Sequence, residues 1–471
     1  MFGLDAGLTI LLLLCLFAAC AFEFINGFHD TANAVATVIY THSLKPRIAV
    51  MWSGFWNFIG VYFGGIAVAM GIVNLLPVEA LVDANMSHGI AMIMSLIFTA
   101  IIWNLGTWYL GIPVSSSHTL IGSIFGVGLA FMFLPGSSSV ALNWHKVQEV
   151  GLSLLISPFL GFFLAILLMY LMRIVIKNKQ IFKKPPASKA PPFWIRFIMI
   201  FTCTAVSFSH GSNDGQKGVG LVMMILIGIV PGYFALDAKK APKDMNSKLV
   251  QIETTISNLN TNNLKSSEKE YLLIINSKID SLLLLSKNAN TFKDIPENKH
   301  FEIRKDIILI SKTTDKFISS VSESGYKIIP AEQIADLKKN ISSLKTNTEF
   351  APWWVILMIS LSLGVGTMVG WKRIVITIGE KIGKTQLNYA QGAASQFIAA
   401  STISASSLLG LPVSTTHVLS SGIAGCMVAE NGIKNLQAKT MKNIGLAWIV
   451  TLPVTIVLSG LIFLILRWIL G

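Results

Sequence analysis

Two stretches of the chain gather hydroxyl groups where the surrounding apolar sequence gives them little local use. Gly111-Ile112-Pro113-Val114-Ser115-Ser116-Ser117-His118 and Gly410-Leu411-Pro412-Val413-Ser414-Thr415-Thr416-His417 agree at glycine, proline, valine, the first serine and histidine. Small hydroxyl residues fill the two positions between. A Gly-x-Pro opening interrupts a helix, and the backbone N–H groups it frees can hold an anion together with hydroxyl donors. Neutral donors suit an anion that must later leave, whereas a fixed arginine fork would grip it. Ser115, Ser116, Ser117, Ser414, Thr415 and Thr416 are therefore the candidate anion donors, with His118 and His417 as residues that orient each run.

A second pair of phrases carries charge. Gly27-Phe28-His29-Asp30-Thr31-Ala32-Asn33-Ala34 precedes the first hydroxyl run, and Gly211-Ser212-Asn213-Asp214-Gly215-Gln216-Lys217-Gly218 precedes the second. An ionised aspartate at mid-bilayer costs about 2.5 to 3.5 kcal/mol, so acidic residues there mark ion or proton pathways. Asp30 and Asp214 would repel an anion. They must instead hold a cation or proton that accompanies it, or pair with an internal base. Lys217 is such a base and, with Asn213, joins the candidate substrate-binding set; Asn33 and His29 join the coupling set, histidine being the side chain that ordinarily titrates near neutral pH. The widely spaced histidines make no zinc signature.

The phrases reveal a duplication. Asp30 aligns with Asp214 at an offset of 184 and Ser115 with Ser414 at an offset of 299, a difference of 115 residues. The polar stretch from Asp237 to Phe350 is 114 residues long and accounts for nearly all of it. The chain is thus expected to comprise a first transmembrane repeat over residues 1–176, a linker over 177–196, and a second repeat over 197–236 and 351–471, interrupted by a helical insert over 237–350.

The elements that must position these residues are membrane helices. With 53% hydrophobic residues and a mean hydropathy of +0.63, the chain is too apolar for an ordinary soluble domain. Apolar runs predict an all-α polytopic membrane protein with about ten to twelve transmembrane helices or re-entrant hairpins. The first run, Leu8 to Phe24, lacks a basic leader and continues into the Asp30 phrase, so it is a span and not a signal peptide. Met1 to Thr9 has no basic residue, whereas Lys45 and Arg47 follow the first span; the positive-inside rule puts the N-terminus outside. The turn from Pro77 to His88, with Glu79 and Asp83 and no basic residue, fits an outside loop, and the Lys-rich linker fits the cytoplasm. The two acidic phrases then run in opposite directions, as in inverted-topology repeats, and the insert emerges in the periplasm.

Insert positions Leu249, Ile252, Ile256 and Leu259 share a helical face, as do Ile303, Ile307 and Ile310, and Ile334, Leu337, Ile341 and Leu344. Tyr271 to Leu285 is apolar enough to be the buried helix of that bundle. The insert carries 18 Lys/Arg and 15 Asp/Glu, so the membrane portion alone is about +10. Its basic residues sit in short flanking loops facing lipid headgroups, with no basic module for nucleic acid. Cys15, Cys20, Cys203 and Cys426 lie in apolar runs and behave as small hydrophobes.

In order and wording, the four phrases resemble the inorganic phosphate transporter (PiT) family, and Ile25 to Tyr40, Phe208 to Leu221 and Leu411 to Ser421 resemble its bacterial low-affinity Pit branch. The likeness covers roughly residues 10 to 235 and 351 to 470. It implies a secondary transporter of the inner membrane, no permanently bound cofactor, a homodimer, and inorganic phosphate as substrate, entering as a neutral complex with Mg²⁺ or another divalent cation. The family's acidic motif is close to Asn-Asp-x-Ala-Asn; Asn33 keeps its last residue and Lys217 departs from it. Sodium-coupled members carry a glutamate where Gln396 stands. These departures, with His29, lead to an expectation of proton rather than sodium coupling. Import of another oxyanion, sulfate above all, and sodium-coupled phosphate symport are the nearest alternatives. A membrane phosphatase is disfavoured because no nucleophile, base and orienting group can be read together.

Overall fold

The computed structural model describes residues 2–76, 86–134, 142–186, 189–260, 264–323 and 329–470. Among these the structure is helical, without a β-strand. The acidic turn with Glu79 and Asp83 lies outside the described residues. Two compact units are present: Ala6–Ile225 with Ala351–Gly471, and Met1–Asp5 with Leu226–Phe350.

The first half of the membrane unit begins with α1 (Ala6–Tyr40), a 35-residue helix. At 1.5 Å per residue it is about 50 Å long and outreaches a hydrocarbon core of about 30 Å. From Ile25 to Val38 every residue is buried, which makes this helix central. It does not break at the Asp30 phrase. α2 (Pro46–Phe63) and α3 (Ala67–Val73) are bent by 72° at Gly64-Gly65, where Gly65 takes φ +82°. α4 (Met86–Tyr109), α5 (Ser116–Met132) and α6 (Trp144–Val175) follow. α7 (Phe193–His210) continues into α8 (Gln216–Ile229) through a π-helical turn, Gly211–Gly215, at the second acidic phrase. Such turns re-aim side chains without ending the helix and recur at functional sites.

The second unit contains the short α9 (Pro231–Phe234) and then α10 (Pro242–Ser257), α11 (Ser266–Ser286), α12 (Glu297–Glu323) and α13 (Ala331–Lys345). The three expected faces supply its core, including Leu249, Ile252, Ile256, Ile303, Ile307, Ile310, Leu337, Ile341 and Leu344. Tyr271–Leu285, expected as the buried helix of the bundle, falls within α11 and is buried along one stripe only. Leu272, Ile275, Ile279 and Leu282 of α11 are buried, but Leu273 and Leu284 are 70% and 75% exposed. In a small bundle each helix buries one stripe and none is surrounded. Truncating Ile307 to alanine removes a fully buried branch of this core and should destabilise the unit by about 2 to 5 kcal/mol, measurable as a lower urea midpoint for the insert's helical signal.

The chain returns to the membrane unit through α14 (Trp353–Thr367), α15 (Lys372–Glu380), α16 (Tyr389–Leu408), α17 (Thr415–Asn431) and α18 (Ala438–Leu470). Five helical segments among the described residues are long and apolar enough to cross a membrane. They are joined by the bent α2–α3 pair and the shorter apolar helices α5 and α14. The halves are exchanged in packing: α5 lies on α18, and α17 lies on α6. Glycines permit both contacts. A Cβ at Gly126 would overlap Ile456 O, and one at Gly425 would overlap Phe162 O, so the backbones meet directly. The outer faces of α6 and α18 stay apolar and exposed, with Phe159, Phe163 and Leu167 on one and Ile449, Val457 and Leu461 on the other. This is the surface a helix presents to lipid. Cys15, Cys203 and Cys426 are buried free thiols and Cys20 is half-buried.

Candidate functional site

The repeated phrase is a helix end joined to a helix start. α4 and α16 each finish on a glycine at φ +66°, Gly111 and Gly410. Ile112 N donates to Thr107 O at 3.0 Å, Gly111 N to Trp108 O at 2.9 Å, Leu411 N to Ser406 O at 2.9 Å and Gly410 N to Ser407 O at 3.0 Å. Glycine is needed because this motif places the residue after the C-cap in the left-handed region. Proline then prevents the helix from continuing. Ser115 and Ser414 follow at φ −93° and −90° as N-caps of α5 and α17, accepting from His118 N and His417 N at 3.1 Å. The first hydroxyl of each run therefore secures its own helix.

These caps direct the next two residues of each run toward one point. Ser116 Oγ lies 3.1 Å from Asp30 Oδ2 and 3.2 Å from Asp214 Oδ2, within donating distance of both. Thr416 donates to Asp30 Oδ1 at 2.8 Å, and Thr415 to Asp214 Oδ2 at 3.4 Å. Lys217 Nζ is 2.8 Å from Asp214 Oδ2 and donates to Ser117 Oγ at 2.5 Å, while Ser117 donates to Val413 O at 2.6 Å. Asn33 Nδ2 donates to Thr416 Oγ1 at 3.0 Å. All these side chains are buried. The N-termini of two 17-residue helices thus meet at a pair of aspartates, where partial positive charge favours anionic groups.

The other expected residues take supporting positions. His29 Nδ1 is 3.2 Å from Asp30 Oδ1, and its Nε2 is 3.4 Å from Thr107 Oγ1. Asn213 is engaged by the second turn: its amide donates to Ser407 Oγ and Leu411 O, and its Oδ1 accepts from Val413 N at 3.2 Å. Its contribution is thus to hold the turn in shape. Gln396 accepts from Thr202 Oγ1 at 2.8 Å and donates to Ala34 O at 2.6 Å. His118 Nδ1 lies 2.9 Å from Ser115 Oγ. The rings of His118 and His417 meet at 4.5 Å between centroids, and His417 stacks on Trp448 at 4.0 Å. One histidine from each half thus joins a ring stack that follows the hydroxyl runs.

Two contributors escaped the motif analysis. His210, four residues before Asp214, puts Nε2 at 3.7 Å from Asp30 Oδ2 and 3.6 Å from Asp214 Oδ2. Its tautomer is set by a relay. Thr367 Oγ1 donates to Leu363 O and accepts from Asn57 Nδ2, which leaves Asn57 Oδ1 to accept from His210 Nδ1. Nε2 then faces both carboxylates with no hydrogen-bond partner. Asp30, His210 and Asp214 can bring their ligand atoms within 4.8 Å of one another, a fit for one metal ion. An i, i+4 His–Asp pair in an apolar run was a usable signal. So was Asn57, a lone amide between Trp56 and Phe58.

The turn glycines give a graded test. Gly111→Ala forces a left-handed alanine whose Cβ meets Arg373 O and Thr377 Oγ1 only at ordinary contact, 3.8 and 3.9 Å, so the cost is the backbone's, about 1 to 2 kcal/mol. Gly410→Ala adds a Cβ at 3.2 Å from Ala67 O and should cost more. Thermal unfolding in detergent should rank wild type, Gly111→Ala and Gly410→Ala in that order.

Comparison with known proteins accords with this arrangement. A Phosphate transporter family model matches residues 26–459. The "Low-affinity inorganic phosphate transporter" of Buchnera aphidicola subsp. Acyrthosiphon pisum (strain APS) is 41% identical, over 98% of this chain and 97% of its own. PitB of Escherichia coli (strain K12), a "Low-affinity inorganic phosphate transporter", is 40% identical, over 97% of both chains. A solved structure, "The sodium-dependent phosphate transporter", superposes with a TM-score of 0.57 at 21% identity, covering 98% of this chain and all of that one, a likeness of fold. With a family model spanning most of its length and full-length relatives at about 40% identity, this chain belongs to the Phosphate transporter family.

Proposed function

We propose that the chain imports inorganic phosphate across the inner membrane by proton symport, the phosphate entering with a divalent cation as a neutral complex. One observation carries this: hydroxyls from both halves and the Lys217 ammonium converge on one buried aspartate pair. Phosphate oxygens would accept from Ser116, Ser117, Thr415, Thr416 and Lys217, and a protonated phosphate oxygen would donate to Asp30 or Asp214. Sulfate has no such proton at neutral pH, so the carboxylates select against it. The cation would sit on Asp30, Asp214 and His210 Nε2, offsetting charge before the anion leaves water.

Proton coupling is supported by what stands where other cations would be held. Lys217 supplies a fixed charge beside Asp214, and Gln396 is a neutral amide already bonded to protein. The duplicated Schellman turn and N-cap support two repeats. We further assign them inverted topology, with the N-terminus and the insert periplasmic, in a homodimer. In proteoliposomes, phosphate should accumulate when a pH gradient alone is imposed and not when a sodium gradient alone is imposed. Sulfate in ten-fold excess should compete weakly. Uptake that follows sodium alone would overturn the coupling assignment.

A further inference from the structure

The buried face of α1 holds more polar groups than the central site employs. Glu23, Asn26, Asp30, Asn33 and Thr37 recur every three or four residues and so form one stripe along the helix, each at most 2% exposed. Glu23 Oε1, Asn26 Oδ1, Asn33 Oδ1 and Thr37 Oγ1 have no hydrogen-bond partner.

Glu23 is the hardest of these to explain as packing. Its Oε2 accepts one bond, from Asn26 Nδ2 at 3.2 Å, and among the described residues it forms no ion pair. A buried carboxyl with one free oxygen and no counter-charge in contact is not fixed as half of an ion pair, and it is a group that can take up and give back one proton. The group is seated deliberately. A Cβ at Gly218, the residue after Lys217, would overlap Glu23 Cγ, Cδ and Oε1, so glycine opens the space the carboxyl fills. The charged groups that act on it are Lys217 on α8, Asp214 in the π turn and Asp30 on its own helix; Cys20 stands one turn before it. Seven residues separate Glu23 from Asp30, about 10 Å along the axis, with Asn26 between them.

We propose that Glu23 is a proton-carrying site of the transport cycle, lying on the N-terminal side of the phosphate site. This rests on the proton-symport assignment above. The carboxylate takes one proton from water on one side of the membrane, forming an O–H bond, and returns it to water on the other as the phosphate site changes sides. Nothing is oxidised or reduced.

The test is Glu23→Gln, which keeps the shape and the amide contact but cannot titrate. Accumulation of phosphate driven by a pH gradient should fall at least ten-fold, while exchange of phosphate for phosphate at equal pH, which moves no net proton, persists. Wild-type accumulation in this variant would overturn the proposal while leaving proton symport standing. Wild-type protein that follows sodium alone would remove both, and that outcome is read before any variant is made. Should Glu23→Gln lose exchange as well, Glu23→Asp decides. Accumulation with a shifted pH profile supports proton carriage; loss of exchange in both variants overturns it in favour of packing against Gly218.

Discussion

Replacing Asp214 by asparagine should lower phosphate uptake by at least two orders of magnitude and reduce the amount of folded protein in the membrane. Both effects share one origin. The Asp214 carboxylate sits 2.8 Å from the Lys217 ammonium, and the two side chains are 1% exposed. Removing one member of a buried pair leaves the other charge uncompensated, at about 3 to 5 kcal/mol. The same carboxylate collects Ser116 and Thr415 from opposite halves, so its loss also releases the hydroxyls that form the proposed anion cradle. The double variant Asp214→Asn with Lys217→Met separates these causes. It should recover abundance, because no unpaired charge remains, and it should not recover uptake. Uptake by Asp214→Asn within three-fold of wild type would show that the pair is structural only.

Lys217→Asn is expected to lose pH-driven accumulation by at least ten-fold and to gain dependence on sodium in whatever uptake remains. The lysine ammonium occupies a position between Asp214 and Ser117 where a small cation would find carboxylate and hydroxyl oxygens. Asparagine vacates that position and supplies an amide oxygen, a ligand set suited to a hard monovalent cation. The comparison needs both gradients imposed separately on both proteins. Unaltered pH coupling in the variant would show that Lys217 has no part in it.

Much of the site was legible because its two parts obey simple rules and occur twice. Gly-x-Pro-x-Ser is a helix terminator followed by an N-cap, so Gly111, Pro113 and Ser115 announce a broken helix before any coordinates exist, and Gly410, Pro412 and Ser414 repeat the message. A repeat in apolar sequence also identified Asp30 and Asp214 as companions. The division of labour within the motif was not legible. Ser115 and Ser414 are consumed as caps, and Asn213 by the turn it braces, because backbone groups freed at a helix end must find partners first. His210, Asn57 and Glu23 each appear once, without a matching residue in the other half: the first two left only a lone polar side chain in an apolar run as a signal, and for Glu23 only packing shows what it faces. The amphipathic faces of the insert were predictable from period alone, whereas the burial of α11 was not: an apolar run says nothing about how many neighbours a small bundle supplies.

A density map of the purified protein with phosphate and Mg²⁺ tests the central claim most directly. Phosphate should lie within hydrogen-bonding distance of Ser116 and Ser117 on one side and Thr415 and Thr416 on the other, with Lys217 beside it. Phosphate found elsewhere, such as the cavity lined by Trp108, Lys372 and Arg373, with the aspartate pair still bonded to the hydroxyls of both halves, would contradict it.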